Sequence, residues 1–545
     1  MRKFIILPLL TLLALPSPAA ERTIHVKGRY LNIPVLHSAP RVRLMMEADG
    51  MDPMPFVVRL TDGKPDYWVF KDLSRLKGKK LTVSGDIAQE ALDAAYVADT
   101  IVGASSLYAE ALRPQYHFTT ARGWINDPNG LIWHDGEYHL FYQHNPYERE
   151  WENMHWGHAV SPDLLHWEEL DDALFPDKTG TMFSGSAIID TDNLAGFNRK
   201  GRPAMLAYYT CETGERQTQC MAYSLDNGRT FTKYKANPLI DSKEEWNSRD
   251  TRDPKVFRYA DGRYVMVLNE RDGHSIFNSS DLRTWERKSH VTGFWECPEL
   301  FELPVDGDPS NTLWVMYGAS GTYMLGHFDG AVFSPVSGKH RCSAGSVYAA
   351  QTFNNIPASD GRRIQIGWSR IDHPGMPFHG QMLLPTELSL RTTKDGVRLV
   401  SVPVREVESL CTPLGSWQNL SQDEALRTLR QFDNPDGLRI RATIALSHAT
   451  DAVISLGGAR LVDYDMNGNM LNGMPYSPDD PTSMELTVDI FVDRASAEVF
   501  VDGGLFSYSF GRERRPGQDS FDIRGNRLTF KNLEISRVEP VWNRN

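Results

Sequence analysis

The chain has 545 residues, of which 58 are basic and 70 acidic, and its formal net charge is -12. This length is too great for one hydrophobic core and predicts three domains, each with a core of its own. The acidic balance, without a long basic run, argues against nucleic acid or an anionic membrane as partner and favours a neutral, polyhydroxylated ligand. Aromatic residues make up 10% of the chain, which suits an all-β protein that stacks sugar rings.

The N-terminus has the three regions of a secretory signal peptide. Arg2 and Lys3 precede an apolar run, Phe4–Leu15, and small residues follow at Ser17–Ala20. The run is too short to cross a membrane, and no other run approaches the ~20 apolar residues that a transmembrane helix requires. We therefore predict that residues 1–20 are a signal peptide, and that the protein is exported, to the periplasm or the medium, without membrane insertion.

Residues 21–108 form short runs of alternating apolar and polar residues, as in Thr23–Val26 and Phe56–Leu60. Asp-Gly and Gly-Lys turns separate the runs, and this pattern predicts a small β-sandwich. Such a module either binds carbohydrate or packs against the next domain. Packing is favoured, because the sequence shows no clear exposed aromatic platform.

The most distinctive segment of the chain is Gly123–Gly130, which contains Asp127. The proline after Asp127 fixes its own φ and biases the aspartate toward extended geometry, and Asn129-Gly130 tolerates positive φ and is expected to turn the chain. Aromatic-rich strand patterns, Tyr116–Phe118 and Tyr138–Gln143, flank the segment, which is unusual for a surface turn. The carboxylate of Asp127 is therefore a candidate for chemistry.

Two further carboxylates lie in distinctive segments, Asp253 in Arg252–Lys255 and Glu296 in Trp295–Leu300. Together with the Asp127 segment, and in this order, they resemble the motifs of glycoside hydrolase family 32, the invertases, inulinases and levanases that cleave β-fructofuranosyl bonds. The resemblance implies that Asp127 is the nucleophile, that Asp253 stabilises the transition state and that Glu296 is the acid/base.

The same resemblance implies a set of side chains that contact the substrate. For each of these residues the alternative is a role in the hydrophobic core of the domain. This alternative is strongest for Trp151 and Trp368. The set is Asn126, Gln143, Trp151, Phe183, Ser184, Arg252, Tyr348 and Trp368.

Seven histidines between residues 117 and 166, including His155 and His158, suggest a metal site at first sight. However, the segment Trp156–Ala159 resembles a structural segment of the family, and carboxylate chemistry requires no metal. We expect neither a metal nor a cofactor. Cys211 and Cys220 either pair across a hairpin or serve as small core residues.

A repeated turn predicts the architecture of residues 111–403. Ser161–Trp167 recurs as Ser224–Phe231 and Ser279–Trp285, and the aspartates of successive turns are 63 and 55 residues apart. A turn that recurs at about the length of a four-stranded sheet is typical of β-propellers, and this period gives five blades, the number that the family resemblance implies. Residues 412–545 are predicted to be a C-terminal β-sandwich that braces the propeller, with antiparallel strands at Leu486–Asp493 and Ala497–Gly504.

The mechanism that the resemblance implies is retaining, with the nucleophile and the acid/base about 5 Å apart. Asp127 must then be ionised, whereas Glu296 must carry a proton, and an apolar setting of Phe294, Trp295 and Cys297 is expected to favour the neutral form. Asp253 is expected to accept hydrogen bonds from two sugar hydroxyls. Arg252, beside it, either keeps Asp253 ionised or reaches a hydroxyl itself.

Ser346 stands where many family members carry an aspartate that goes with sucrose use, and this favours fructans over sucrose. The leading hypothesis is an exported enzyme that releases fructose from the ends of fructan or fructo-oligosaccharide chains. An endo-acting levanase or inulinase, an invertase and a non-catalytic fructan-binding protein are alternatives. An inverting arabinan-type hydrolase lacks the observed motifs, and a sialidase-like propeller would need an arginine cluster that is not evident.

Overall fold

The protein is described by a computed structural model that covers residues 20–446, 451–476, 478, 484–514 and 517–542. Residues 1–19 of the predicted signal peptide lie outside the described residues, and Ala20 begins the first strand. Strands dominate the described chain, as the all-β prediction requires. None of the described helices has the length and apolar character needed to cross a membrane. The chain divides into two compact units, which meet in sequence at Val102 and Gly103.

The first unit contains two described antiparallel sheets, one ordered β1-β6-β3-β4 and the other β5-β2-β7. Apolar side chains from both sheets, such as Leu44 and Ile33, line a common interior. Its elements are β1 (Ala20–His25), β2 (Tyr30–Val35), β3 (Val42–Ala48), β4 (Met51–Val58), β5 (Tyr67–Asp72), β6 (Lys80–Gly85), α1 (Gln89–Ala94) and β7 (Tyr96–Ala98). The sequence showed no exposed aromatic platform, but Tyr96 is 41% exposed and contacts the edge of Trp68, with the ring centroids 5.7 Å apart.

The second unit begins with three consecutive sheets of antiparallel strands. The first sheet contains β8 (Gly123–His134), β9 (Glu137–Asn145), β10 (His155–Ser161) and β11 (Glu168–Leu174). The second contains β12 (Thr181–Asp190), β13 (Ala204–Glu212), β14 (Gln217–Ser224), β15 (Thr232–Lys233) and β16 (Ile240–Asp241), and is followed by α2 (Ser242–Trp246). The third contains β17 (Thr251–Arg258), β18 (Tyr264–Glu270), β19 (Gly273–Ser279) and β20 (Glu286–Thr292).

A larger sheet follows, in which the order β24-β23-β22-β21 continues into β30-β27-β26 through one parallel pairing, Val305 with Leu390. Strand β28 returns to pair with the start of β8. The elements of this region are β21 (Glu299–Val305), β22 (Asp308–Tyr317), β23 (Thr322–Phe328), β24 (Phe333–Arg341), β25 (Ser343–Gly345), β26 (Val347–Thr352), β27 (Arg363–Ser369), β28 (Phe378–His379), β29 (Gln381–Met382), β30 (Thr386–Thr393) and β31 (Gly396–Pro403).

The C-terminal region forms two sheets around one apolar core. The predicted hairpin is confirmed, because β38 and β39 pair antiparallel with Val492 opposite Ala497. A short helix, α3, whose N-terminus has a capping box of Ser421 and Glu424, was not predicted. The elements are β32 (Cys411–Ser421), α3 (Gln422–Leu429), β33 (Gly437–Ala445), β34 (Asp451–Leu456), β35 (Ala459–Asp465), β36 (Met470–Leu471), β37 (Met474–Pro475), β38 (Glu485–Asp493), β39 (Ser496–Val501), β40 (Phe506–Gly511), β41 (Phe521–Gly525) and β42 (Thr529–Val538).

The repeated turns found in the sequence occupy equivalent positions, each after the third strand of its sheet. In each turn the serine hydroxyl donates to the aspartate, at 3.1 Å for Asp163, 2.8 Å for Asp226 and 3.1 Å for Asp281. The aspartates in turn accept backbone amides, as the hydrogen bond from His166 N to Asp163 shows. Short polar side chains that bind nearby backbone groups in this way stabilise tight turns. The sequence repeat therefore marks a structural repeat.

The C-terminal sheets are joined to the preceding sheets by a buried cluster of charges, His117, Asp493 and Glu498, which we call the junction cluster. His117 Nδ1 lies 2.7 Å from Asp493 Oδ2, and His117 Nε2 lies 2.6 Å from Glu498 Oε1. Asp493 also accepts the backbone amide of Gln115 at 2.8 Å, and Glu498 accepts that of Leu384 at 2.9 Å. These contacts fix the two regions relative to each other.

Candidate active site

Asp127 lies on β8, at a bulge in its pairing with β9. The turn predicted at Asn129-Gly130 is wrong, because β8 continues through both residues to His134. Gly130 is needed instead for close packing, since its φ is +54° and a Cβ there would lie 2.7 Å from the ring of Phe141. The bulge accommodates the proline, which cannot donate to the sheet, and directs Asp127 out of the regular alternation.

Asp253 lies at an equivalent irregularity on β17, where the pairing with β18 shifts between Arg252 and Lys255. Its φ is +63°, a conformation that non-glycine residues adopt rarely. The backbone amide of Asp253 donates to Thr210 Oγ1 at 3.1 Å on the neighbouring sheet. This hydrogen bond holds the strained backbone in place, and strain of this kind is frequent at functional sites.

Glu296 precedes β21, with a φ of +51°, and its backbone amide donates to Asn269 Oδ1 at 2.8 Å. Its carboxylate accepts a hydrogen bond from Arg252 Nη2 at 2.9 Å and another from the hydroxyl of Tyr348. The environment of Glu296 thus differs from the apolar one expected. Trp295 does not cover it, because its side chain is 47% exposed and lies against the guanidinium of Arg252, 5.2 Å from the ring centroid.

Cys297 joins the three acidic residues into one site. Its backbone amide donates to Asp253 Oδ2 at 3.0 Å, and its thiol lies 3.4 Å from Asp127 Oδ2 and 3.7 Å from Asp253 Oδ2. Since Cys297 directly follows Glu296 in the chain, carboxylates from three different sheets meet within one small volume. We call Asp127, Asp253 and Glu296 the carboxylate cluster.

Within the carboxylate cluster Asp253 is buried and Asp127 and Glu296 are half-buried, and loss of contact with water raises the pKa of Asp127 and Asp253. Burial is the largest cause for Asp127, where hydrogen bonds from Ser184 and Asn126 act in the opposite direction and the charge of Glu296 raises the pKa further. The pKa of Asp253 is raised to about 7 by burial and by the charges of Asp127 and Glu296, against the opposing effect of Arg252. The cluster therefore retains a proton in a pH range where an exposed aspartate has lost it.

Arg252 contributes to the site differently from the expectation. Its hydrogen bonds go to Glu296, to Asp250 and to Gln217, and it acts on Asp253 through its charge. Burial opposes the charged form of Arg252, but the surrounding carboxylates raise its pKa above the ordinary value. Arg252 is thus the cation that balances part of the negative charge of the cluster.

Two of the residues expected to bind substrate contact Asp127 directly. Ser184 Oγ donates to Asp127 Oδ2 at 2.7 Å, and Asn126 Nδ2 donates to Asp127 Oδ1 at 3.2 Å. Asn126 in turn accepts a hydrogen bond from Trp124 Nε1 at 2.8 Å. Gln143, by contrast, is buried and donates to the carbonyl oxygen of Met182 at 2.9 Å.

The aromatic candidates form two groups. Trp151 is 50% exposed and meets the edge of Phe183, with centroids 6.0 Å apart. Trp368 lies between Trp124 and Tyr348, at centroid distances of 5.8 and 6.4 Å. The buried Nε1 of Trp368 has no hydrogen-bond partner among the described residues. The structure thus brings the second group to the acid/base and leaves Trp151 at an exposed position.

Four residues of the site were not identified from the sequence. The sequence contained a signal for Trp124, because it lies within the Asp127 motif, two residues before the Asn126 side chain that it contacts. Cys297 was noted only as an apolar neighbour. Thr210 and Asn269 carry no local signal, because each acts on the backbone of a residue that is distant in sequence.

Within the described ranges, no group of three or more His, Cys, Asp or Glu side chains has the arrangement needed to hold a metal ion. His139 Nδ1 lies 3.1 Å from His158 Nε2, and burial lowers the pKa of both residues. The five cysteines, all within the described ranges, are free, including Cys211 and Cys220.

Ser346, which stands where many family members carry an aspartate, lies two residues before Tyr348. Its hydroxyl is 2.8 Å from that of Ser369 and 2.9 Å from that of Ser509 on β40. The segment that carries Tyr348 is thereby attached to the C-terminal sheets, and β25 extends the same attachment by pairing with β40.

Comparison with known proteins shows the family to which the chain belongs. Residues 117–403 match the family model described as the glycosyl hydrolases family 32 N-terminal domain. A levanase from Bacillus subtilis is 38% identical over 492 residues, with 80% of this chain and 72% of the relative covered. An extracellular exo-inulinase from Aspergillus niger is 31% identical, with coverages of 80% and 96%.

A solved structure supports the same assignment. The crystal structure of exo-inulinase from Aspergillus awamori superimposes with a TM-score of 0.71 at 28% sequence identity, over 80% of this chain and 100% of that one. The family model covers more than half of the chain, and the three acidic motifs of the sequence meet in one site. The chain therefore belongs to glycosyl hydrolases family 32 and is a glycoside hydrolase.

Proposed function

We propose that this protein is an exported fructan β-fructosidase that releases terminal β-D-fructofuranosyl residues from levan- or inulin-type chains. The observation that carries the proposal is the carboxylate cluster, in which Cys297 contacts Asp127 and Asp253 while Arg252 and Tyr348 hold Glu296. The levanase and exo-inulinase among the relatives support fructan as the substrate class.

The proposed reaction is a retaining double displacement. The Asp127 carboxylate attacks the anomeric carbon while Glu296 donates a proton to the departing glycosidic oxygen, and a fructosyl ester forms on Asp127. In the second step Glu296 removes a proton from a water molecule, which attacks the same carbon and releases fructose and the Asp127 carboxylate. Hydrogen bonds from Ser184 and Asn126 fix the rotamer of Asp127 for the attack.

Asp253 takes the transition-state role in this proposal. Its carboxylate accepts hydrogen bonds from sugar hydroxyls, and these bonds strengthen as the ring gains oxocarbenium character. Burial and the charges of Asp127 and Glu296 raise the pKa of Asp253 to about 7 despite the opposing effects of Arg252 and the Cys297 amide, and this supports a role in which sugar hydroxyls stabilise its charge. Each sugar hydroxyl that donates a hydrogen bond to Asp253 stabilises the negative charge of its carboxylate. Binding energy is therefore directed to the reacting ring.

The proposed architecture follows the repeated turns. The inner strands β8, β12, β17, β21 and β26 would line the axis of a five-bladed β-propeller, residues 111–403, and the strands of residues 412–545 would form the β-sandwich that braces it. Residues 21–108 would form an accessory β-sandwich. Residues 1–20 would direct export, as the extracellular exo-inulinase supports.

The choice of fructan over sucrose is part of the proposal. The hydroxyl of Ser346 is already hydrogen-bonded to two other serines. It is therefore not available to bind the leaving group of a substrate, as the carboxylate of an aspartate at this position would be. The exposed Trp151 provides an aromatic face at which further sugar units of a chain can stack. The proposed activity is the release of fructose from chain ends, in place of endo-cleavage or sucrose hydrolysis.

The product profile on levan, inulin and sucrose tests this proposal, with Glu296→Gln as the inactive control. Fructose alone from the earliest time points, absent in the control, is the expected result on one of the two polymers. Oligosaccharides at early times would replace the proposal by endo action, and preferential sucrose cleavage would indicate an invertase. Binding without any product from the wild type would leave only a fructan-binding role.

A further inference from the structure

A second cavity, of about 430 Å³, lies away from the carboxylate cluster. Two strands, β12 and β26, carry residues of the carboxylate site near their N-terminal ends and line this cavity near their C-terminal ends. On β12, Ser184 contacts Asp127 whereas Ile188 and Ile189 line the cavity. On β26, Tyr348 contacts Glu296 whereas Thr352 lines the cavity. With a strand rise of about 3.3 Å per residue, the two places are about 13 Å apart along these strands.

Three aromatic rings form a row along one wall of this distal cavity. Trp314 lies between Phe257 and Tyr259, at centroid distances of 6.0 and 5.9 Å and with interplanar angles of 37° in both cases. All three residues line the cavity and keep part of their surface exposed. Partly exposed aromatic faces beside polar groups are suited to the C–H faces of sugar rings.

Hydrogen-bond donors and acceptors line the same cavity as the aromatic row. Asn354 and Asn355 line the wall with amides whose nitrogens donate to backbone carbonyls, Asn354 to Ala187 and Asn355 to Trp133. Their carbonyl oxygens, and the Nε and Nη2 of Arg363, have no hydrogen-bond partner in the described part of the chain. The cavity therefore offers acceptors and donors at the same time, as hydroxyl groups require.

The charges of the lining favour a neutral ligand over an anion. The buried Lys255 is neutralised by Glu299 at 2.9 Å, and Arg258 is paired with Asp192 at 2.8 Å. Glu299 also acts on Arg363 through its charge, and Glu302 adds a further acid to the lining. A phosphate or carboxylate would face this acid and the two amide oxygens, whereas a polyol meets no such repulsion.

We propose that the distal cavity is a second saccharide site, which binds a short β-fructosyl oligosaccharide through the aromatic row, Asn354, Asn355 and Arg363. This site catalyses nothing, since the reacting carboxylates lie at the other end of the strands. Its function is to retain a polymer near the enzyme while chain ends are processed. The identity of the sugar rests on the proposed function, but the existence of a second site does not.

Calorimetric titration of the full-length Asp127→Asn variant with a fructosyl trisaccharide tests this inference, because hydrolysis is then blocked. Two equivalents are expected to bind. Arg363→Met keeps the packing of the aliphatic stem but removes the donors, and it is expected to weaken one equivalent at least about tenfold while the other is unchanged. Arg398→Met, on β31 outside the cavity, is the matched control and is expected to leave both equivalents unchanged.

Kinetics in the otherwise wild-type chain complete the test. Arg363→Met is expected to keep its activity on the trisaccharide within about twofold and to lose several-fold on the polymer at low concentration. A single equivalent in Asp127→Asn, or two equivalents that Arg363→Met leaves equal, overturns the inference. Failure of the proposed function is distinct from this, because it appears as the absence of fructose release by the wild type on any fructan.

Discussion

The carboxylate cluster, which is half-buried, and the junction cluster, which is buried, are both groups of charges from distant parts of the chain, but their charges are compensated very differently. In the junction cluster, each carboxylate receives a ring nitrogen of His117 and at least one backbone amide. As a result, the pKa of His117 is raised to about 9 despite complete burial. In the carboxylate cluster, three acids share one guanidinium, a few side-chain donors and the single backbone amide of Cys297, and the pKa of Asp253 is raised to about 7.

The difference shows what each cluster is for. Carboxylates that accept several fixed donors are stabilised as anions, and removal of their cation leaves an unmatched buried charge. Carboxylates with fewer such donors are less stabilised as anions in the free protein, and the hydroxyls of a substrate supply further hydrogen bonds. We therefore expect mutations in the junction cluster to reduce stability, and mutations in the carboxylate cluster to reduce activity without loss of stability.

The largest expected effect is on turnover, from Asp127→Asn. The amide keeps the shape of the side chain but cannot attack the anomeric carbon, so kcat is expected to fall by at least about 10⁴-fold. Thermal unfolding followed in parallel is expected to be unchanged or shifted upward, because burial raises the pKa of Asp127 in the folded state. An inactive variant with a strongly lowered Tm would contradict the expectation that mutations in the carboxylate cluster leave stability unchanged.

The largest expected effect on stability comes from His117→Leu. It leaves Asp493 and Glu498 buried without their shared cation, which is expected to cost about 3–5 kcal/mol in the free energy of unfolding. His166→Leu is the matched control, because His166 pairs with Asp163 at the surface and such pairs contribute about 0–1 kcal/mol. Denaturant unfolding of both variants measures the difference, and equal losses would show that the junction cluster has no special role.

The same histidine gives a pH dependence whose sign is fixed. The pKa of His117 is raised from 6.5 to about 9 on folding, so its contribution to stability is complete below pH 6.5 and is lost as the pH rises through about 9. Between these values the unfolding free energy of the wild type is expected to decrease more steeply than that of His117→Leu. Parallel curves for the two proteins in this range would overturn the assignment.

Asp253→Asn is expected to stabilise the protein while it impairs turnover. Since the pKa of Asp253 is raised from 3.8 to about 7 on folding, the folded state binds the extra proton and the wild type loses stability as the pH rises between these values. The gain of the variant over the wild type should be small at pH 4 and reach at most about 4 kcal/mol above pH 7, at about 1.4 kcal/mol per pKa unit. Unfolding measured across this range checks the slope, and a variant less stable than the wild type at pH 8 would contradict it.

The sequence predicted those parts of the molecule that local patterns specify. The repeated Ser-x-Asp turns were visible because each turn depends on side chains within a few residues of its own backbone. The strands of the C-terminal hairpin were visible from their β-branched and aromatic residues and from the turn after each strand, although β39 is buried along its whole length. The three acidic motifs were visible because each carboxylate has distinctive neighbours in the sequence, including a proline one or two residues later, that resemble the motifs of the family. The structure adds that each motif has an irregular backbone, seen as a bulge or as positive φ at Asp253 and Glu296.

What the sequence did not predict depends on contacts between distant residues. Thr210 supports the backbone of Asp253, and Asn269 supports that of Glu296, and both do so through one side-chain oxygen on another strand. The junction cluster connects residues more than 370 positions apart. The polar environment of Glu296 was missed for the same reason, since Tyr348 is 52 residues away in the chain.

The smallest expected effect comes from Tyr348→Phe, and it tests whether Glu296 depends on its donors. The hydroxyl of Tyr348 donates to Glu296, while its ring is held separately by Trp368 and Arg370. The phenyl ring therefore stays in place when the hydroxyl is lost, and loss of one hydrogen bond to a charged group corresponds to about 1.5–3 kcal/mol. We expect kcat to fall about 10- to 100-fold, with KM and Tm nearly unchanged. A change confined to KM would instead assign the hydroxyl to substrate binding and leave Arg252 as the main support of Glu296.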